Sequence, residues 1–100
     1  MPYTKLVRDK IPEIIRARGI NQVNHIADDN EFENALLDKL QEEVKEFVED
    51  PCKEEMADIM EVIYAILKQK KYDFNDIEEV RKKKEEERGA FDKRIIAHIE

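Results

Sequence analysis

From Phe32 to Leu67 apolar side chains return every three or four residues, and a single proline, Pro51, divides the run. That period is the helical one, so the segment predicts two amphipathic helices, one reaching about Asp50 and one from near Cys52 to about Lys70. They are joined tightly enough to pack antiparallel. Only two glycines and three prolines occur in 100 residues, so each remaining break is informative. Pro12 suits the first turn of a short helix over 9–18 that stops at Gly19, and Gly89 ends a fourth helix capped by Asn75 or Asp76. Asn30, with Glu33 three residues on, predicts the N-cap of the second helix. The fold class is mainly all-α, in one domain over 1–100. Val23 and Ile26 show no helical stripe, and Ile95, Ile96 and Ile99 fit helix or strand by period. The extended reading is carried forward for both, as short strands near 22–27 and 91–98 that pair with each other.

The two central helices carry acids where a simple core would not want them. At about 100° per residue, Leu36, Leu37, Leu40, Val44, Phe47 and Val48 form one arc, with Phe32 at its edge. Glu43 falls inside that edge, between Phe32 and Leu36, and Glu46 lies just beyond it. On the next helix Met56, Ile59, Met60, Val62, Ile63, Ile66 and Leu67 form the arc. There Glu55 falls inside, between Val62 and Ile66, and Asp58 sits past the rim. Each helix thus presents an i,i+3 carboxylate pair to its neighbour.

Burying unpaired carboxylates costs several kcal/mol each unless a cation compensates. Lys39 and Lys45 offer one compensation, a set of salt bridges. A hard divalent cation, Mg²⁺ or Mn²⁺, offers the other, because it prefers oxygen ligands and these pairs supply up to four. A di-iron bundle normally needs a Glu-x-x-His on each of two helices. Gln22 precedes His25 by three residues and Ile95 precedes His98, so that site lacks its histidines.

Composition narrows the remaining choices. A chain this short buries about 60–65% of the surface that its unfolded form exposes, which leaves one copy little core. With 41% apolar and 43% charged residues, the helices are expected to complete their core in a homodimer or homotetramer. The formal net charge of −7 argues against a basic face for a nucleic-acid polymer. An anionic ligand would need a bound cation to reverse the local field. The lone Cys52 forms no internal disulfide and no zinc spacing. No run of eighteen apolar residues spans a bilayer, and the stretch M-P-Y-T-K-L-V-R-D-K has no apolar run long enough for a signal peptide, so a soluble cytoplasmic protein is expected.

Basic segments flank the acidic centre. Lys5, Arg8 and Lys10 precede it, and Arg88 and Arg94 follow; folded over a metal site, they would hold phosphate oxygens. Lys82, Lys83 and Lys84 read more simply as a solvated face paired with neighbouring glutamates. Gly89 permits a left-handed turn beside Arg88, either as a helix cap or for close approach to a ligand. Tyr64 and Phe91 serve core packing or base stacking.

Four blocks together resemble the MazG-like all-α nucleotide pyrophosphohydrolases, in the phosphoribosyl-ATP pyrophosphohydrolase-like branch. They are K-L-V-R-D-K-I-P-E-I at 5–14, K-L-x-E-E-V-x-E-F at 39–47, E-E-M-A-D-I-M-E-V at 54–62 and R-G-A-F-D-K-R-I at 88–95. The resemblance implies a helical bundle completed by oligomerisation. It also implies Mg²⁺-dependent cleavage of a nucleotide substrate, such as a nucleoside triphosphate, to monophosphate and pyrophosphate. By it, Glu43, Glu46, Glu55 and Asp58 are the metal ligands, and Lys5, Arg8, Lys10, Arg88 and Arg94 the phosphate contacts. Glu42 or Glu46 would take the proton of the attacking water. The loop between the acidic clusters is short, and Ala90 stands where the family often has a second glycine. A non-catalytic helical nucleotide-binding or protein-interaction module is the alternative.

Overall fold

The structure, a computed structural model, describes residues 4–100. Among these residues there are four helices and no strand: α1 (Ile11–Ala17), α2 (Asp29–Glu49), α3 (Lys53–Lys70) and α4 (Phe74–Arg88). The all-α expectation holds. The segments 20–28 and 95–100 have no regular structure, so the strands expected at 22–27 and 91–98 are not formed. Val23, Ile26 and Phe91 stand almost wholly exposed, at 101%, 96% and 95%. Apolar residues favour a strand only where a sheet gives them something to pack on, and neither segment finds it.

Helix boundaries follow local chemistry. Pro12 occupies the first turn of α1, and Gly19, at φ 79°, ends it. The N-cap of α2 is Asp28 rather than Asn30. Its carboxylate accepts from the Glu31 N–H at 2.8 Å, which satisfies one free donor of the first turn. Glu33, expected to close a capping box, instead pairs with Lys70 at the far end of α3. Asp73 caps α4 two residues before Asn75, whose N–H it accepts at 2.7 Å. An aspartate earlier than the chosen asparagine wins both times, since each can receive the same bond and only its position relative to the apolar run differs.

Helix α3 ends without glycine. Lys71 takes the left-handed conformation at φ 60°, while the Tyr72 N–H reaches the Leu67 carbonyl at 2.9 Å and the Lys71 N–H reaches that of Lys68. That is a Schellman closure built on a residue with a Cβ. Tyr64 and Phe74 then meet across the turn, ring centres 6.4 Å apart.

The antiparallel pair α2–α3 carries the packing. Its seam is displaced from the middle of the apolar arcs. Leu36 and Val62 are buried at 2% and 7% exposure, and Glu43 lies between them in exposure at 5%. On the helical wheel Glu43 and Phe32 lie within about 40° of Leu36, on the acidic edge of the arc. The other edge of the hairpin is open: Leu37, Val44, Val48, Met56, Met60 and Ile63 are all exposed, Val48 to 71%. The radius of gyration is 17.9 Å, against about 13 Å for a compact chain of this length. No helix among the described residues is long and apolar enough to cross a membrane.

Candidate functional site

Because the seam runs along the acidic edge, it brings three of the four paired carboxylates together. Glu43 comes from the middle of α2, and Glu55 and Asp58 from the first two turns of α3. One oxygen from each of the three lies within 4.8 Å of the others. Glu43 Oε2 and Glu55 Oε2 are both buried without a hydrogen-bond partner. Such orphaned acceptors are costly, and three converging oxygens form the donor set that a hard divalent cation takes. The residues fit such an ion.

Burial raises the pKa of Glu43, and nearby Glu46 pushes in the same direction while Lys39 opposes both. Glu46 is thus electrostatically close to Glu43, but it stands outside the three converging oxygens. Lys39, one turn before Glu43, lies 3.2 Å from Glu43 Oε1 and 3.5 Å from Glu42 Oε2, with its side chain only 18% exposed. The salt-bridge compensation and the open donor set therefore coexist: Lys39 holds one oxygen of Glu43, and the other is left free. By sequence Lys39 reads only as a possible counter-ion. Its position four residues before Glu43 is the signal that places it here.

The N-terminal segment crosses the same face. Lys5 Nζ donates to Glu42 Oε1 at 3.2 Å, and Arg8 Nη2 donates to Asp58 Oδ1 at 2.8 Å. The Lys5 hydrogen bond, with Lys39 adding to it, lowers the Glu42 pKa. Two of the five basic candidates thus reach the acidic cluster. Lys10 is the N-cap of α1, Arg88 is the last residue of α4, and Arg94 lies beyond it at φ 58°. Among the described residues these three form no ion pair with the cluster. Along α4 it is Arg81 that pairs, with Glu78 and Glu85; Lys82, Lys83 and Lys84 are exposed, and the ion pairs expected of them are not found among the described residues.

Set beside protein-family models, curated proteins and solved structures, the chain matches none.

Proposed function

We propose that the protein is a Mg²⁺-dependent nucleotide pyrophosphohydrolase, with Mn²⁺ as a substitute ion, that cleaves a nucleoside triphosphate or related nucleotide to monophosphate and pyrophosphate. The observation that carries the reading is the pair of orphaned buried oxygens on Glu43 and Glu55, converging with Asp58. The motif resemblance points the same way. Glu43, Glu55 and Asp58 would hold the ion. When bound, it supplies charge neutralisation on the phosphates and a lower pKa for the attacking water.

The chain's own groups do the rest. Arg8 and Lys5 already sit at the rim of the cluster, where guanidinium and ammonium donors suit phosphate oxygens. Lys10, Arg88 and Arg94 are further candidates for phosphate contact. Of the two candidate bases, Glu42 is held by Lys5 and Lys39 and its lowered pKa makes it a weak one. Glu46 is the better choice, because it is not already neutralised by two lysines as Glu42 is. A second copy of the chain, as homodimer or homotetramer, would cover the exposed apolar edge of the hairpin.

Purified protein incubated with a panel of nucleoside triphosphates and Mg²⁺ should release monophosphate and pyrophosphate. Glu55→Gln and Asp58→Asn should lose that turnover while keeping or raising the metal-free melting temperature, because carboxylate repulsion is relieved. Marked unfolding of either variant would point to a structural salt bridge instead. No hydrolysis with Mg²⁺ or Mn²⁺, together with a nucleotide-induced rise in melting temperature, would replace the enzyme with a binding module.

A further inference from the structure

The segment before α1 is attached to the hairpin in an unusual way. No backbone hydrogen bond among the described residues joins residues 4–10 to α2 or α3. Two ion pairs do, one to each helix: Lys5 to Glu42 on α2 and Arg8 to Asp58 on α3. Both are well exposed, with side-chain exposures of 41% and 36% for the first pair and 56% and 40% for the second. Exposed pairs of this kind contribute a factor of about 1.5 to 5 to an equilibrium constant and weaken with salt. Both of these ion pairs are contacts that a better ligand can displace.

Charge indicates what that ligand is. Glu42, Glu43, Glu46, Glu55 and Asp58 gather five negative charges, and Lys39, itself on α2, accompanies two of them at short range. Lys5 and Arg8 arrive from outside the hairpin, Lys5 as a second cation on Glu42 and Arg8 as the partner of Asp58. A divalent cation drawing on Asp58 would stand next to the Arg8 guanidinium across one carboxylate, and like charges at that distance repel. A polyphosphate entering with the cation offers Arg8 and Lys5 oxygens at least as good as those they leave.

Building on the metal-site reading of the preceding subsection, we infer that Lys5 and Arg8 are partner-switching cations. In the metal-free protein they neutralise Glu42 and Asp58. When a divalent cation and a polyphosphate bind, they pass to the phosphate oxygens, and the segment that competed with the metal becomes the clamp on the ligand.

The two roles of Arg8 have opposite signs, which makes them separable in the full chain. Titration calorimetry would measure Mn²⁺ alone, and then Mg²⁺ with inorganic tripolyphosphate, on the wild type, Arg8→Ala and Arg8→Gln. Both variants should bind Mn²⁺ alone about 1.5 to 5 times more tightly, since a competing cation is gone. Both should bind tripolyphosphate about tenfold more weakly or worse, since a charged donor is lost. The Mn²⁺ gain should vanish at high salt. Unchanged or weaker Mn²⁺ binding in both variants, with tripolyphosphate binding reduced, overturns the exchange and leaves Arg8 a simple phosphate contact. Absence of any Mn²⁺ uptake by the wild type overturns the metal-site reading itself, and the exchange with it. Circular dichroism on each variant identifies one that fails to fold, and the other then decides.

Discussion

Glu43 concentrates the conflict on which the site is built. It is the most buried charged residue described, one oxygen held by Lys39 and the other without a partner. Its raised pKa means that the folded state keeps a proton that the unfolded chain has already released. Stability of the metal-free protein should therefore fall as pH rises from the ordinary carboxylate range through that raised value. Glu43→Gln should abolish this slope and stabilise the metal-free protein by about 1 kcal/mol, or about 4–8 °C in melting temperature. Thermal melts of both proteins across that pH range test it, and an unchanged slope in the variant refutes the assignment to Glu43. Metal uptake should show the opposite trend, weakening on acidification as the proton competes for the same oxygen. At Glu42 the sign reverses: its lowered pKa adds stability above the ordinary carboxylate range, lost as pH falls through the lowered value.

Among the elements, α2 and α3 are set by their ends as much as by their stripes. Asp28 supplies the one side-chain cap of α2, so Asp28→Ala should lower unfolding stability by about 1 kcal/mol. Lys71 holds the left-handed position that closes α3 at φ 60°, where a Cβ is strained. Lys71→Gly should raise the urea midpoint, with a gain of up to about 1 kcal/mol after the glycine's greater entropy in the unfolded chain is counted. A loss there would mean that the lysine side chain contributes more than its backbone costs. The stripes on both helices are readable as sequence, but the turn that closes α3 is not, because lysine carries no preference for that conformation. Nor do the caps read cleanly: Asp28, Asp29 and Asn30 stand in a row, and all three are competent.

For the whole molecule, the displaced seam has a consequence. The helices meet along the acidic edge of their apolar arcs, so Leu37, Val44, Met56, Met60 and Ile63 stay exposed and, among the described residues, only Leu36 and Val62 are buried apolar side chains. So little buried surface leaves a 100-residue chain marginal alone. Sedimentation equilibrium should find the proposed homo-oligomer, and Val44→Lys or Met60→Lys should shift it towards the 11.9 kDa monomer with a lower melting temperature. A wild type that stays monomeric at all concentrations would refute the assembly. Leu36→Ala, at the buried centre of the seam, should cost about 2–5 kcal/mol, a large share of a small domain's stability.

The order of residues alone determined the helices, the hairpin at Pro51 and the presence of acids within the apolar arcs, because all three depend on neighbours a few positions away. It also left Glu43, inside the arc, and Glu46, just beyond it, together as candidate ligands, and all five flanking cations alike. Tertiary structure decided among them. The rotation of α2 against α3 draws Glu43, Glu55 and Asp58 together and leaves Glu46 aside, and the path of residues 4–10 brings Lys5 and Arg8 across while Arg88 and Arg94 stay away. Distances between residues some 40 or 50 positions apart depend on how helices turn about their own axes and where the chain crosses between them. Local spacing carries neither quantity.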